Sequence, residues 1–174
     1  MREAGVLMPV SALPSRVGAG ELGESAFHFI ELLKKNHVRI WQILPLNPVG
    51  YGNSPYQPYS SCAGDDIYIS LDTLAEEGLL KKSPMLFLEK CKKVDYERVR
   101  QYREPYLRAA FMAFVEQKGY EKPEYKEFAA QSWVYEYGVF RALKKANNGA
   151  CWNEWPEEDR IWPENRHVLD TEVE

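Results

Sequence analysis

The sequence predicts an α/β protein that begins with parallel strands and continues into a mainly helical region. Two apolar runs of strand length, residues 4–10 and 39–46, flank a segment with helical spacing. Both runs alternate little between apolar and polar residues, which is typical of parallel strands covered on both faces. From about residue 83 onward, charged residues and helical patterns dominate and β-branched residues become fewer.

The first half contains the clearest elements. Between the two predicted strands, apolar side chains recur at the i, i+3, i+4, i+7 spacing of a helix face: Ala26, Phe29, Ile30 and Leu33. Lys34 and Lys35 follow in the last turn, where the helix dipole favours positive charge. We also expect a weaker third strand over Ile67–Ser70 and a short helix over residues 71–78.

The second half predicts two longer helices. The first has its apolar face at Leu107, Ala110, Phe111, Phe114 and Val115. Pro105 suits the first turn of this helix, because the first N–H groups of a helix have no internal partner. A second helix is predicted over residues 132–146, and Gly149 follows it as a stop signal. The tail predicts irregular chain in which three tryptophans act as packing anchors: Trp152, Trp155 and Trp162.

The change in composition divides the chain into two predicted regions. Residues 1–80 form a βαβ part, and residues 81–174 form a mainly helical insertion or subdomain. Two parallel strands alone would leave long apolar edges unpaired, which natural domains avoid. We therefore expect this chain to be the front part of something larger, in which Glu174 closes no element.

Composition and charge exclude several classes of protein. The chain has 174 residues, of which 13% are aromatic, and this argues against disorder. The formal net charge is −4 and no basic stripe is present, so we expect no nucleic-acid partner. The sequence contains no run of about 18 apolar residues, so no membrane span is predicted. Three widely spaced cysteines indicate neither a disulfide framework nor a zinc site, so we expect a reduced, cytoplasmic protein.

A glycine motif at residues 18–23, GAGELG, matches the G-x-G-x-x-G pattern of dinucleotide-binding loops. Two details argue against a nucleotide site. Residues 13–17 separate the first glycine from the predicted strand, and no carboxylate ends the second strand, which reads LPLN at 44–47. We therefore interpret these glycines as shaping a strand-to-helix loop.

A loop rich in tyrosine follows the second predicted strand. This tyrosine loop, residues 50–60, reads GYGNSPYQPYS. Exposed tyrosines offer a flat apolar face and a hydroxyl, which suits a sugar ring lined by C–H bonds on one face. Asn53, Ser54 and Gln57 add hydrogen-bonding groups of the kind that orient a ligand. A structural loop with packed tyrosines is the alternative, and the residues alone leave both interpretations open.

Other polar candidates favour structural roles. Asp65 and Asp66 are adjacent, so on a strand they point in opposite directions and form no acid/base pair; we interpret them as a polar turn. The three histidines, His28, His37 and His167, are isolated from one another, and we expect capping or surface roles. No catalytic triad and no metal site is predicted from these residues.

Ordered blocks spread over nearly the whole chain carry a family resemblance. In the first half they read AGVL at 4–7, SALPS at 11–15, GAGELG at 18–23, WQILPL at 41–46 and GYGNSPY at 50–56. VDY at 94–96 and WNEWP at 152–156 add later matches. Together these blocks resemble the start of the 4-α-glucanotransferase family, also called amylomaltase or disproportionating enzyme.

The resemblance implies a fold and a reaction. The fold would be the start of a (β/α)8 TIM barrel, its first two strands, with a helical insertion subdomain. The family acts in cytoplasmic carbohydrate metabolism on maltooligosaccharides and α-1,4-glucans, without a metal or organic cofactor. Its reaction is retaining transglycosylation: a carboxylate nucleophile forms a glycosyl-enzyme, a second carboxyl serves as acid and then base, and another sugar is the acceptor.

The resemblance also implies the roles of particular residues. By position, Tyr51, Ser54 and Tyr56 would contact glucan, with Tyr56 in the donor-side cleft and Tyr51 as a stacking face at a more remote site. The family's catalytic carboxylates belong to later barrel strands, so none is expected in this chain. We therefore predict a chain that is inactive alone and whose partners are α-glucan and the missing C-terminal remainder of the barrel.

Alternative functions stay open at this point. A non-catalytic α-glucan-binding module would use the same tyrosines without chemistry. A structural or interaction protein could be built on the charge-rich helical half. An α-amylase-type hydrolase shares the barrel and the retaining chemistry, and the resemblance alone favours transfer over hydrolysis.

Overall fold

The computed structural model describes residues 3–81 and 93–161, apart from the side chain of Tyr51. The chain divides into two compact units, Met1–Glu121 and Lys122–Glu174. The division predicted from composition, between residues 80 and 81, stays a prediction.

The first unit contains two parallel strands joined through a helix. β1 (Gly5–Leu7) pairs with β2 (Ile40–Gln42), and Val6 lies opposite Trp41. Between them in the chain lies α1 (Glu24–Lys35), so the predicted strand–helix–strand order and the parallel pairing are confirmed. Each strand is shorter than the apolar run that predicted it.

The two faces of this strand pair differ in cover. Trp41 is half-buried, and its ring meets Phe29 of α1 edge-on with centroids 5.0 Å apart. On the opposite face Leu7 is 58% exposed and Ile40 is 46% exposed. The expectation that both faces are covered is therefore wrong for the part of the chain that the structure describes.

The main core lies between α1 and the strand ends. Its buried members are Val10, Leu13 and Ala26, with Met8, Phe29, Trp41, Leu46 and Tyr68 packed around them. The indole Nε1 of Trp41 donates to the carbonyl of Met8 at 2.8 Å, so the N–H of this half-buried ring has a partner. This cluster fixes α1 against the sheet and supports the chain that leaves β2.

The predicted third strand over Ile67–Ser70 is wrong. Asp66–Tyr68 form a 3₁₀ turn instead, and the helix predicted after it is confirmed as α2 (Leu71–Glu76). Asp65 accepts a hydrogen bond from the Ile67 amide, and Ser70 accepts one from the Thr73 amide. Short polar side chains that bind the local backbone favour caps and turns over strand ladders, and here they override the apolar residues between them.

The long helix α3 (Tyr96–Glu116) begins earlier than predicted. The side chain of Asp95 caps its first turn by accepting from the Arg98 amide at 3.1 Å. Pro105 consequently lies inside the helix, which corrects its predicted place in the first turn. A proline there has no N–H to donate to the carbonyl of Gln101, and the helix continues despite this loss.

The buried face of α3 also differs from the predicted one. Its buried side chains are Val99, Arg103 and Ala110. Val99 joins Ala19 and Ile67 in a second apolar cluster. Of the predicted apolar face Ala110 is buried, whereas Phe111 is 60% exposed. A buried arginine on this face shows that ion pairs, as well as apolar contacts, attach α3 to the rest of the first unit.

The second unit is helical. It contains α4 (Pro123–Ala129), α5 (Ser132–Ala146) and α6 (Glu157–Arg160). The predicted helix over residues 132–146 is confirmed, and Gly149 lies after its end with a positive φ of 77°. Among residues 122–161, the buried residues form one cluster: Val139, Leu143 and Trp155.

The predicted tail is partly confirmed. Trp155 is a buried anchor, and its Nε1 donates to the carbonyl of Ala150 at 3.0 Å. Trp152, by contrast, is 63% exposed and is not a packing anchor. The tail is also less irregular than predicted, because it contains a 3₁₀ turn, Trp152–Glu154, as well as α6. Trp162 lies outside the described residues.

Candidate functional site

The tyrosine loop leaves the end of β2 and is closed at its base by backbone hydrogen bonds. The Tyr59 amide donates to the Pro48 carbonyl at 2.9 Å, and Val49 and Pro58 form an isolated antiparallel bridge. The Gly50 amide donates to the Gln57 carbonyl at 3.4 Å. Residues 50–57 therefore project from a base in which the two ends of the loop are hydrogen-bonded to each other.

The tip of the loop turns sharply. Tyr51–Asn53 form a 3₁₀ turn in which Gly52 has a φ of 80° and Asn53 a φ of 53°. Glycine adopts positive φ without steric cost, and asparagine tolerates the left-handed region better than most residues. These two residues explain why the chain can reverse here and present Ser54 and Tyr56 on one short segment.

The predicted glucan-contacting residues lie as follows. Tyr56 is 72% exposed, which makes it the most exposed large hydrophobic residue of the first unit among those described. Ser54 is half-buried, and its carbonyl accepts from the Gln57 amide at 3.1 Å. The backbone of Tyr51 starts the 3₁₀ turn, while its side chain lies outside the described residues. The roles assigned to these three residues stay predictions.

Tyr59 supports the base of the loop. A Cβ added to Gly50 would lie 3.1 Å from Cε1 of Tyr59, so the ring lies against the Gly50 backbone. Tyr59 is 39% exposed, about half the exposed fraction of Tyr56. The loop therefore contains one tyrosine that packs against its base, Tyr59, and one whose ring is exposed to solvent, Tyr56; sugar binding by the loop stays a prediction.

Asp65, at the end of the segment that follows the loop, is a buried carboxylate rather than a plain polar turn. It is 6% exposed and forms a bidentate ion pair with Arg100 of α3, at 2.7 and 2.6 Å. Asp66, its neighbour, is exposed and lies 3.4 Å from the same guanidinium. The expectation of a polar turn is right locally, but the sequence contained no sign of the partner on α3.

The charge on Asp65 is stabilised by its surroundings. Burial acts to raise the pKa of this carboxyl, but hydrogen bonds and charge from Arg100, together with backbone hydrogen bonds from Ile67 and Val49, bring the pKa below its usual value. Burial raises the pKa of nearby Tyr68, with further contributions from Tyr96 and Asp65. Asp65 is therefore an ionised structural anchor and is unsuited to donate a proton.

The glycine motif is structural, as interpreted from the sequence. A Cβ on Gly20 would lie 2.0 Å from the carbonyl oxygen of Val10, and a Cβ on Gly23 would lie 2.6 Å from Oγ of Ser70. Gly18 has a φ of 88°. The glycines allow the loop before α1 to approach neighbouring chain closely.

The histidines also follow the predicted pattern where they are described. His28 is exposed on α1 with Nε2 3.9 Å from Oε1 of Glu24, and His37 lies just beyond the end of that helix. His167 lies outside the described residues. Over residues 3–81 and 93–161, no group of three or more His, Cys, Asp or Glu residues is arranged to hold a metal ion.

No helix within the described part of the chain is both long and apolar enough to cross a membrane.

Comparison with known proteins gives one consistent result. The family model described as 4-alpha-glucanotransferase matches residues 8–172. Curated 4-alpha-glucanotransferases from Synechocystis and Thermus thermophilus are 40% and 37% identical to this chain over 99% of its length. Each alignment covers 36% of the relative, so the chain spans about a third of the length of these curated relatives.

A solved structure supports the same assignment. The amylomaltase from Streptococcus agalactiae, determined in complex with acarbose, matches with a TM-score of 0.85 and 28% identity. The match covers 99% of this chain and 37% of that one. The resemblance found in the ordered sequence blocks is therefore confirmed by family model, curated sequences and structure alike. The chain belongs to the 4-alpha-glucanotransferase family, whose members are transferases.

Proposed function

We propose that this chain supplies the α-glucan-binding tyrosine loop of a 4-α-glucanotransferase, and that Tyr56 is its principal sugar contact. The observation that carries the proposal is the 72% exposure of Tyr56 on a loop whose base is closed by backbone hydrogen bonds. An aromatic ring on a loop with a fixed base can stack on a pyranose face while the loop backbone loses little conformational freedom on binding. Ser54 would add a hydrogen bond from the same segment, and Tyr51 a second aromatic face.

The ligand class is maltooligosaccharide or α-1,4-glucan. Its support is family membership and a structural relative whose complex contains acarbose. In the whole enzyme the reaction would be retaining transfer of a glucan segment to another sugar, with two carboxyl groups as nucleophile and acid/base. We place those groups in the remainder of a (β/α)8 barrel, with this chain as its first two strands and the mainly helical region as an insertion.

The remainder of the barrel is the proposed protein partner. Leu7 and Ile40 leave an apolar sheet face exposed, and both strands of the pair have an edge without a strand partner among the described residues. Further strands of a barrel would cover that face and pair with those edges. This arrangement accounts for the apolar character of both strands better than a two-stranded sheet does.

Binding by the tyrosine loop is tested by replacing Tyr56 with alanine. We expect the affinity for maltoheptaose, measured by isothermal titration calorimetry, to fall at least ~10-fold, or about 1.4 kcal/mol. Tyr120→Ala is the matched control, because Tyr120 is a 43% exposed tyrosine outside the loop. The affinity of this variant for maltoheptaose should stay within twofold of the wild-type value. Equal losses in both variants, or none in Tyr56→Ala, would contradict the proposal.

Catalysis is tested separately with maltotriose. We expect the purified 174-residue chain to form neither glucose nor longer oligosaccharides, because the proposed carboxylates lie in later strands. Product analysis by anion-exchange chromatography over a long incubation is the measurement. A non-catalytic α-glucan-binding module would give the same result. The two functions are distinguished by joining the chain to the remainder of a homologous barrel. Transfer should then appear if the chain is part of a transferase, and should not appear if it is only a binding module. Turnover by the chain alone contradicts both.

A further inference from the structure

The strongest unassigned feature outside the tyrosines is the ion pair between Arg100 and Asp65. Both oxygens of the carboxylate are engaged, at 2.7 Å from Nη1 and 2.6 Å from Nη2. The Asp65 side chain is 3% exposed and that of Arg100 is 28% exposed. This geometry uses the planar fork of arginine, which lysine cannot reproduce.

Asp65 joins the two ends of the chain segment that contains the tyrosine loop. Its amide donates to the carbonyl of Leu46 at 2.8 Å, just before the loop begins. Its carboxylate accepts from the Ile67 amide at 3.1 Å, just beyond the segment. Asn47 adds a parallel link, because its Nδ2 donates to the Ala63 carbonyl at 3.0 Å. The segment from 46 to 65 is thus a closed loop whose closing residue is Asp65.

We propose that Arg100 is a positioning residue for glucan binding: by holding the Asp65 carboxylate at the base of the segment, it keeps the tyrosine loop in its binding conformation. The inference rests on the proposed function of that loop. Arg100 itself touches no sugar in this account. It acts through Asp65 on the closure of segment 46–65, and through that closure on Tyr56.

The effect should be local because α3 has other attachments. Arg103 donates to Oε2 of Glu21 at 2.9 Å, and the Tyr96 hydroxyl donates to Oγ of Ser11 at 3.2 Å. Both contacts join α3 to the segment before α1 rather than to the tyrosine loop. Loss of Arg100 therefore leaves α3 docked but leaves a buried carboxylate without its cation, which favours movement of Asp65 toward water.

Two variants of the full chain test this role, Arg100→Leu and Arg100→Lys. Arg98→Leu is the control, since Arg98 is an exposed arginine on the same helix. Amide hydrogen exchange by NMR is followed at Gly50 and Tyr59 in the loop base, with the Met8 and Val38 amides as references outside it. Affinity for maltoheptaose is measured on the same samples.

In Arg100→Leu we expect exchange at the two loop amides to accelerate at least tenfold with the reference amides unchanged, and affinity to fall at least fivefold. Arg100→Lys should lie between this variant and the wild type, and it remains informative if the leucine variant does not fold. Unchanged exchange in the loop overturns the proposal. So does equal acceleration at loop and reference amides, which would indicate a general loss of stability.

The two proposals fail in different ways. If the wild type does not bind maltoheptaose, the proposed function fails, and with it the claim that Arg100 positions a binding loop. If the wild type binds and Arg100→Leu loosens the loop without loss of affinity, the positioning role is overturned while the function stands. Local acceleration together with weaker binding supports both.

Discussion

Replacing Arg103 with leucine is expected to lower the free energy of unfolding by about 3–5 kcal/mol, because it breaks a buried ion pair from one side. Arg103 is 1% exposed; Nη1 donates to Glu21, and Nη2 donates to the carbonyl of Ile69. Glu21 also accepts from Oγ of Ser70 at 3.2 Å. Leucine would leave the Glu21 carboxylate and the Ile69 carbonyl without their cationic donor. Urea unfolding of the full chain measures the effect.

Two further variants separate charge from packing at this position. Arg108→Leu changes an exposed arginine of the same helix and should alter stability by no more than about 0.5 kcal/mol. The double variant Arg103→Leu with Glu21→Gln should regain part of the loss, because no buried carboxylate is then left uncompensated. A loss in Arg103→Leu no larger than in Arg108→Leu would show that the pair does not hold α3 in place.

Gly20→Ala is expected to destabilise the first unit by about 3 kcal/mol, at the upper end for an overpacked core. The added Cβ would lie 2.0 Å from the Val10 carbonyl oxygen and 2.8 Å from the Leu13 amide nitrogen. Both neighbours are backbone atoms of buried residues, so the clash cannot be relieved by rotation of a flexible side chain. The Gly20 amide also donates to the Ser11 carbonyl at 3.0 Å, and relief of the clash would lengthen that bond.

Gly64→Ala is the matched control for this substitution. A Cβ at Gly64 meets no atom within 4 Å. The unfolding midpoint of Gly64→Ala in urea should therefore stay close to that of the wild type. If Gly20→Ala unfolds at the same midpoint as Gly64→Ala, the close approach does not constrain this loop and the structural interpretation of the glycine motif is wrong.

The elements that could be predicted from the sequence are those set by local pattern. The spacing of Ala26, Phe29 and Leu33 predicts α1, and the two apolar runs predict the parallel pair. The predictions that were wrong, the third strand and the start of α3, concern places where a side chain caps a turn or a helix. Asp65 and Ser70 turn an apolar stretch into a 3₁₀ turn and a helix start, and Asp95 starts α3 well before its apolar face begins.

The exposed tyrosine of the candidate site could be predicted from the sequence, but the ion pair that supports the loop could not. Tyrosines between glycines and prolines indicate a presented loop, and Tyr56 is exposed as that pattern requires. Arg100 is 35 residues from Asp65, so no local pattern connects them. The adjacent carboxylates of Asp65 and Asp66 could indicate a basic side chain as partner, but the chain has many basic residues. Only the tertiary structure shows that the partner is Arg100.

The most direct test of the central claim is an NMR titration of the isotopically labelled full chain with maltoheptaose. We expect saturable shifts in the amides of the non-proline residues of 49–60, strongest next to Tyr56 and absent in Tyr56→Ala at the same sugar concentration. Smaller shifts are expected for the amides of Asp65 and Ile67, because Asp65 closes the same segment and Ile67 donates to its carboxylate. No shift at millimolar sugar, or shifts confined to residues 122–161, would contradict the assignment of the tyrosine loop as the glucan-binding site.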